Sequence, residues 1–519
     1  MNGAQSLVRT LVGCGVDVCF MNPGTSEMHF VATLDAVPEM KSVLALFEGV
    51  ATGAADGYGR MAGRPAATLL HLGPGLGNGL ANLHNARRAR TPLINIVGDH
   101  ATYHKKFDAL LESDIEGVAR NVSPSFVRFG SAPGTVGADA ADAFGAALGP
   151  PGQVATLILP ADVSWGPGGV VAAPPTRLRP QPLDAPRVGA VADVLRSGEP
   201  AALLLGNGAL GTDGLTAASR VADAVGARLL CETFPARVAR GAGVPDIERL
   251  AYLGEMAMAQ LEGVRHLVLV DAKAPVSFFA YPDRPSWLVP DGCEVHVLAG
   301  PSDDATSALE ALADEVGASK DAARPTGSAR PELPTGELTV RAVAAAVGAL
   351  LPDGAIVSDE GNTSGLFGSP SLAGCPPHDW LFLTGGAIGQ GLPVAVGAAT
   401  ACPDRPVISL QADGSSLYTL QSWWTMARHD LDVTTVLFNN HSYAILNMEL
   451  QRVGTEGAGL RAHEMLDLSN PDIDFTSLAR GMGVTAWRST TADEFSQHLA
   501  AAIATPGPTL IEAVLPRTR

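Results

Sequence analysis

Two polar turns near the carboxyl terminus carry residue types that suit a divalent metal and an anion. The turn Ala412–Ser416 follows an apolar run at Pro406–Leu410, and Asn440 follows the next apolar run along the chain. In a parallel strand–helix–strand unit both turns lie at the carboxyl edge of the sheet, so we expect Asp413 and Asn440 to be neighbours. Their oxygens suit Mg²⁺, and free N–H groups at a helix start suit phosphate. The pattern predicts a metal–diphosphate site; the plainer alternative is an N-cap and an ordinary Asn turn.

Glu48 is a second candidate, because a carboxyl group stands where an apolar run meets small residues. It follows Val43–Phe47 and precedes a stretch rich in Gly and Ala that ends at Arg60. A carboxyl group buried at this place is costly to desolvate unless it has a partner. We expect Glu48 either to begin a helix or to bind a buried polar ligand.

Together these patterns resemble the signature of enzymes that depend on thiamine diphosphate. That signature is usually written GDG followed at a distance by NN, and this chain has Ala412-Asp413-Gly414 and later Asn439-Asn440. The resemblance implies that Asp413, Asn440 and the backbone carbonyl of Ser442 bind Mg²⁺. The chain departs from the family at Ala412, where a methyl group replaces the usual glycine.

The first third of the chain is similar to the same family in the surroundings of its glutamate. After Glu48 comes Ala55-Asp56-Gly57-Tyr58-Gly59-Arg60, which resembles the family's ADGYAR. The resemblance implies that Glu48 hydrogen-bonds the pyrimidine ring of the cofactor and sets the proton equilibrium that activates it.

Two turns in this third resemble those of benzoylformate decarboxylase-like enzymes, where they supply a pocket hydroxyl and a catalytic imidazole. They are Asn22–Glu27, which contains Thr25, and Leu70–Gly79, which contains His71. By that resemblance Thr25 and His71 are catalytic, and the pKa range of His suits proton transfer near neutrality. A structural His at the end of a strand is the alternative.

Further loops in the last third resemble those that surround the cofactor. Asp359–Thr363 resembles the loop that contacts the diphosphate. Thr384–Gly389 resembles the loop beneath the cofactor, where Ile388 would support its bent form and the carbonyl of Gly386 would receive the aminopyrimidine. The other cofactor-binding residues implied by the resemblance are Asn362, Thr363, Gly414, Ser415 and Tyr443.

The resemblance implies an enzyme that decarboxylates a small 2-oxo acid, joins carbonyl compounds as acetolactate synthases do, or does both. Two departures limit the choice: Phe279 replaces a second catalytic His of benzoylformate decarboxylase-like enzymes, and Asn121–Phe126 lacks the Lys-His pair of acetolactate synthases. The alternatives are a lyase acting on a 2-hydroxyacyl or acyloin substrate, and a cofactor-binding pseudoenzyme or regulatory subunit. Because the family's sites lie between subunits, we expect a homodimer or homotetramer.

A competing motif lies in the middle of the chain. Gly206–Gly211 fits GxGxxG after the apolar run Ala201–Leu205, with Glu232 further along. Taken alone, this pattern predicts a nicotinamide-dinucleotide dehydrogenase. The proteins that the whole chain resembles use this region for FAD or ADP, or leave it empty. We expect a tight turn that binds no nucleotide.

The apolar runs of the chain predict the elements that would hold these residues. Short β-branched runs alternate with amphipathic stretches, which is typical of mostly parallel sheets flanked by helices. The Pro-rich stretches Ala172–Arg187 and Ala318–Glu337 predict linkers. We therefore expect an α/β chain of three domains: pyrimidine-binding (residues 1–171), Rossmann-like (188–317) and diphosphate-binding (338–519).

Composition excludes several other classes. The chain has 519 residues and a formal net charge of −18, which disfavours binding to nucleic acid. Its 6 cysteines are scattered without a CxxC pair, so they predict neither a disulfide scaffold nor a cysteine zinc site. We find no signal peptide at the N-terminus and no apolar run long enough to span a membrane, so we expect a cytoplasmic location.

Overall fold

Three mostly parallel sheets flanked by helices make up the computed structural model of the protein, as the sequence predicts. The structure describes residues 1–320, 329–364, 372–453 and 459–517. The second expected linker falls partly at residues 321–328, outside the described residues. The first has no helix or strand before a helix begins at Ala185, apart from an isolated bridge at Gln181.

The first sheet has six parallel strands. Their bounds are β1 Val18–Asn22, β2 Lys41–Leu44, β3 Ala66–Leu70, β4 Leu93–Asp99, β5 Val127–Phe129 and β6 Val154–Pro160. The accompanying helices are α1 Gly3–Cys14, α2 Met28–Thr33, α3 Glu48–Ala62, α4 Leu72–Ala89, α5 Ile115–Arg120, α6 Val136–Leu148 and α7 Ala161–Trp165. The strand order is β2-β1-β3-β4-β6-β5.

The middle stretch forms the second sheet. The strands of this stretch are β7 Ala201–Leu205, β8 Arg228–Cys231, β9 Val238–Arg240, β10 Glu248–Arg249, β11 His266–Val270 and β12 Glu294–Ala299. Its helices are α8 Ala185–Leu195, α9 Thr212–Val225, α10 Gly254–Leu261 and α11 Ala305–Glu315. Five of these strands pair in the order β10-β8-β7-β11-β12, and β9 is absent from that order.

The last stretch forms the third sheet. Its strands are β13 Ile356–Glu360, β14 His378–Phe382, β15 Val407–Ala412, β16 Val433–Asn439, β17 Thr485–Ser489 and β18 Thr509–Val514. Its helices are α12 Val340–Leu350, α13 Gly391–Ala401, α14 Asp413–Ser416, α15 Gln421–Arg428, α16 Ala444–Arg452, α17 Leu460–Glu464, α18 Phe475–Gly481 and α19 Ala492–Ile503. The order is β17-β18-β16-β15-β13-β14-β9, so β9 crosses from the middle stretch and pairs antiparallel with β14.

Helices α3 and α13 pack the first sheet against the third, and their glycines make the approach close. A Cβ atom at Gly57 would lie 2.1 Å from the carbonyl oxygen of Val394. One at Gly397 would lie 1.9 Å from the carbonyl oxygen of Ala54. The small residues after Glu48 are therefore required by packing. No helix within the described ranges has both the length and the apolar character needed to cross a membrane.

Candidate active site

Four neighbouring strands of the first sheet end in polar residues at one edge. Glu48 begins α3 after β2, Glu27 follows β1, His71 follows β3, and His100 follows β4. Because all four strands are parallel, these residues gather at the carboxyl edge, where open α/β sheets bind ligands.

Glu27 and His71 form a hydrogen-bonded pair at this edge. Nδ1 of His71 lies 2.9 Å from Oε2 of Glu27, and the Glu27 side chain is fully buried. The same Oε2 accepts a hydrogen bond from the backbone N–H of Gly24 at 2.7 Å. A Cβ at Gly24 would lie 2.1 Å from Nδ1 of His71, so glycine is needed there. A carboxylate on Nδ1 leaves Nε2 free for a proton.

Glu48 is buried, with 6% of its surface exposed. Asn78 donates a hydrogen bond from Nδ2 to Oε2 of Glu48 at 3.0 Å. A Cβ at Gly75 would lie 3.0 Å from Oε1 of Glu48 and 3.4 Å from Cβ of His71. Glu48 and His71 therefore both lie beside Gly75, in the first turn of α4.

An open cavity lies against this edge. Its walls include Thr25, Ser26, His71, Leu72, His100, Tyr103, His104, Leu111 and Trp165. Thr25 is exposed at the cavity, whereas the hydroxyl of Ser26 lies 3.3 Å from Nδ1 of His71 and also donates to Glu27. Ser26 rather than Thr25 therefore contacts the imidazole.

Three residues at this site were missed by sequence reasoning: Glu27, Ser26 and His100. Glu27 and Ser26 belong to the Asn22–Glu27 turn, where only Thr25 was singled out. His100 directly follows a seven-residue buried strand, which is the signal that could have found it. Its Nε2 atom is buried and has no hydrogen-bond partner among the described residues.

The third sheet brings Asp413 and Asn440 together at its own carboxyl edge. Strands β15 and β16 pair in parallel, with Ala412 opposite Phe438. The backbone N–H of Asn440 donates to Oδ2 of Asp413 at 3.1 Å. Oδ1 of Asn440 accepts a hydrogen bond from the backbone N–H of Ser442 at 3.0 Å. The expected juxtaposition of these residues is present.

The chemistry of this turn fits Mg²⁺. Asp413 is 3% exposed, and burial raises its pKa to about 6, opposed by backbone N–H groups of neighbouring turns. A buried carboxylate beside an amide oxygen and backbone carbonyls is the hard oxygen set that Mg²⁺ prefers, with room left for phosphate oxygens. A bound divalent cation would also compensate the desolvated charge of Asp413.

The residues around Asp413 leave little space for larger side chains. A Cβ at Gly414 would lie 2.4 Å from the ring of Tyr443, so glycine is required there. Ser415 is buried in the single turn of α14. Ala412 has φ −82° and ψ 150°, which is open to any residue, so its methyl group causes no backbone strain.

Glu360 holds the loop expected to lie beneath the cofactor. Its carboxylate accepts backbone N–H groups of Gly389 at 2.6 Å, Gln390 at 3.2 Å and Gly391 at 2.7 Å. Burial raises the pKa of Glu360 to about 7, against these donors. Asn362 and Thr363 follow in a turn after β13, at the same edge as Asp413.

Helix α4 of the first sheet holds this loop from the opposite side. Nδ2 of Asn82 donates to the carbonyl oxygens of Gly49 at 2.8 Å and Gly389 at 3.1 Å. Asn85 donates to the carbonyl of Ala387, next to Ile388, at 2.8 Å. Asn82 therefore ties the turn after Glu48 to the loop, although no hydrogen bond among the described residues joins Glu48 to Asp413.

An aromatic group from the middle stretch lies against the same loop. A Cβ at Gly386 would lie 2.7 Å from the ring of Phe278. Phe278 packs edge-on against Phe234 and Phe279, and Phe279 is 56% exposed. Phe278 rather than Phe279 therefore contacts Gly386.

The GxGxxG turn is occupied by the protein's own side chains. The backbone N–H of Gly208 donates to Oδ2 of Asp271 at 2.8 Å, and a Cβ at Gly206 would lie 2.0 Å from the Asp271 carbonyl. Asp271 forms an ion pair with Arg90, which directly follows α4. Burial raises the pKa of Glu232 to about 7. A carboxylate where a phosphate would bind supports the expectation that no dinucleotide binds here.

Comparison with known proteins identifies the family to which the chain belongs. Residues 1–119 match the model of the thiamine pyrophosphate enzyme N-terminal TPP binding domain, and residues 368–513 match that of the C-terminal TPP binding domain. The chain belongs to the thiamine pyrophosphate-dependent enzymes.

Two relatives and one solved structure cover nearly the whole chain. IlvX of Mycobacterium tuberculosis, provisionally named an acetolactate synthase large subunit, is 61% identical over 99% of both chains. The benzoylformate decarboxylase of Pseudomonas aeruginosa is 28% identical over 96% of both chains. A thiamine diphosphate-dependent 4-hydroxybenzoylformate decarboxylase from Rhodococcus jostii has the same fold, with a TM-score of 0.84, 24% identity and 100% coverage of both chains.

Proposed function

We propose that this protein is a Mg²⁺-dependent decarboxylase of 2-oxo acids with apolar side chains, with or without subsequent carboligation. When bound, thiamine diphosphate supplies a nucleophilic carbon for the substrate carbonyl and an electron sink for the loss of CO₂. The observation that carries the proposal is the Glu27–His71 pair at the wall of an open cavity.

His71 would hold or move the proton that replaces CO₂ on the product. Buried Glu27 fixes Nδ1, so Nε2 is the nitrogen available to substrate in the cavity. Glu48, held by Asn78, would bind the pyrimidine ring. Thr25 and Ser26 would supply hydroxyl contacts to the substrate carboxylate.

At the third sheet, Asp413, Asn440 and the carbonyl of Ser442 would hold Mg²⁺. Asp413 and Asn440 follow two paired strands, and the backbone N–H of Asn440 donates to Oδ2 of Asp413, which supports this assignment. The other residues proposed to contact the cofactor are Asn362, Thr363, Gly386, Ile388, Gly414, Ser415 and Tyr443. They lie at the same edge of the sheet or in the loop that Glu360 holds.

Apolar walls support the proposed substrate side chain. Leu72, Leu111 and Trp165 line the cavity, and the half-exposed ring of Phe278 lies beside the loop at Gly386. Such surfaces favour a phenyl or branched side chain over the methyl group of pyruvate by removing apolar area from water.

The test is the product spectrum of protein loaded with thiamine diphosphate and Mg²⁺. Benzoylformate, a branched 2-oxo acid and pyruvate would be supplied separately, with CO₂, aldehyde and acyloin measured in each reaction. We expect CO₂ release with a higher kcat/KM for the first two than for pyruvate. Cleavage of acyloin or 2-hydroxyacyl compounds alone would favour the lyase, and no turnover of either kind would favour the pseudoenzyme.

We further propose that the active form is a homodimer or homotetramer. Tyr103, Phe107 and Leu110 are more than half exposed on the loop that borders the cavity. An apolar patch of this kind beside a functional site is typical of a surface that another chain covers. Light scattering combined with a dilution assay would test this, and a monomer with full activity would contradict it.

A further inference from the structure

The second sheet carries a cluster of two histidines and two glutamates at the amino ends of its strands. His266 begins β11, Glu294 begins β12, and His296 lies two residues further along β12. The strands are parallel with His266 opposite Glu294, so His266, Glu294 and His296 point to the same face. Asp271 and the glycine turn follow the carboxyl ends of the same strands, so this cluster is separate from them.

The ligand atoms of this cluster are close enough to share one ion. Nδ1 of His266 lies 3.1 Å from Nε2 of His296. Oε2 of Glu294 lies 3.9 Å from the same Nε2, and the three ligand atoms all lie within 4.8 Å of one another. Ligands at about 2.0–2.2 Å from a tetrahedral zinc ion are separated by about 3.4 Å, which lies between these two distances.

A second carboxylate sets the tautomer of His266. Oε2 of Glu199, from the turn before β7, lies 2.8 Å from Nε2 of His266. When Nε2–H donates to Glu199, the lone pair of Nδ1 points toward His296. A carboxylate on the outer nitrogen of a metal-binding His is the arrangement that orients imidazole ligands in zinc sites.

The charge and burial of the cluster also suit a cation. His266 is 8% exposed, whereas Glu294 lies on the edge strand with a largely exposed side chain. Glu199 and Glu294 bring two negative charges to two imidazoles. A divalent ion would balance both charges, and the exposed side of Glu294 gives it a route of entry.

We propose that His266, His296 and Glu294 bind one zinc ion, with Glu199 as the residue that orients His266. Two imidazole nitrogens favour zinc over Mg²⁺, which prefers oxygen ligands. Three protein ligands leave a fourth position for water. The competing explanation is a hydrogen-bonded histidine pair, in which Nε2–H of His296 donates to Nδ1 of His266.

The experiment uses tag-free full-length protein that has been treated with EDTA, dialysed, and titrated with Zn²⁺ by calorimetry. We expect one zinc per chain in elemental analysis after removal of free metal. Glu294→Gln and His296→Ala each remove one proposed ligand and should therefore abolish stoichiometric zinc. Both residues lie on an edge strand, so they can change without opening the core. Glu199→Gln should weaken zinc affinity by about 10- to 100-fold.

His498→Gln is the matched control, since His498 is a half-buried histidine of α19 bonded to Ser489. It should retain zinc as the unsubstituted chain does. Addition of Mg²⁺ and thiamine diphosphate should not displace the zinc. Zinc content that is absent in the unsubstituted chain, or equal in the Glu294→Gln and His498→Gln variants, would overturn the proposal in favour of the histidine pair.

Discussion

Gln390 donates a hydrogen bond from its side chain to Oδ2 of Asp56 at 2.7 Å, across the contact between the first and third sheets. Asp56 also accepts Nε of Arg60 at 2.9 Å, and Arg60 donates to the carbonyl oxygen of Phe382 at 2.8 Å. Asp56 and Arg60 of the ADGYGR sequence thus hold α3 against the strand and loop beside the proposed cofactor site.

Breaking this ion pair should be costly, because both side chains are essentially unexposed. Asp56→Asn leaves the Arg60 charge without its carboxylate, and we expect the free energy of unfolding in urea to fall by about 3 kcal/mol. Asp193→Asn removes the carboxylate of an exposed pair with Arg196 and should cost under about 1 kcal/mol. Equal losses in the two variants would show that burial of the pair contributes nothing.

His71 and Glu48 should fail at different steps. His71→Ala should reduce kcat by at least about 100-fold, as for a general acid or base. It should leave exchange of the cofactor's C2 proton with solvent largely intact. Glu48→Gln should slow that exchange with or without substrate, which NMR of acid-quenched samples would detect. Equal slowing in both variants would refute the division of roles.

Glu27 should act through His71 rather than on substrate. In Glu27→Gln the amide can still accept from Gly24 but no longer offers a negative charge to Nδ1. We expect a smaller loss of kcat than in His71→Ala, because the imidazole remains but loses the charged partner that orients Nδ1. An unchanged kcat would contradict the pairing.

Thiamine diphosphate and Mg²⁺ together should raise the thermal midpoint of unfolding. Binding only to the folded state stabilises it by about 2.7 kcal/mol at 100-fold excess over Kd. Asp413→Ala should remove the Mg²⁺-dependent part of this shift. Asp432→Ala alters an exposed carboxyl at the amino end of β16 and should keep the shift. Loss in both variants would mean that the effect is not specific to the Asp413 turn.

Gly414→Ala tests the space beside Asp413. The added methyl group would meet the Tyr443 ring, and we expect a loss of about 1–3 kcal/mol of stability and weaker cofactor binding. Gly481→Ala places the same methyl group in open space and should be neutral or slightly stabilising. Calorimetry of both variants with cofactor would show whether the first change alone affects binding.

Acid should destabilise the fold partly through His378, at the start of β14. Burial lowers the pKa of this imidazole, so the folded state stays neutral where the unfolded chain takes up a proton. Its contribution to stability is present above pH about 6.5 and is lost as pH falls toward the lowered pKa. Between pH 8 and 5, His378→Asn should lose less stability than the unsubstituted chain. The exposed His29→Asn control should follow the unsubstituted curve.

The third-sheet half of the candidate site could be predicted because it depends only on two strands that are consecutive along the chain. Asp413 and Asn440 follow consecutive paired strands, and parallel pairing alone makes them neighbours. Glu27 could not be assigned in the same way, because its contact with His71 depends on β1 lying beside β3 in a strand order that the sequence does not reveal. Phe278 belongs to the middle stretch and contacts Gly386 of the last stretch, and no spacing within the chain indicates that contact.

Because the short strand β9 pairs within the third sheet, the middle region is poorly suited to being moved into another protein as an independent domain. Excising residues along the Pro-rich stretches would remove Val238–Arg240 from the third sheet and leave the backbone of β14 without its antiparallel neighbour. An uncovered sheet edge is a template for pairing with other chains. A chimera joined at those Pro-rich stretches should therefore aggregate through β14 unless the inserted region supplies an equivalent strand.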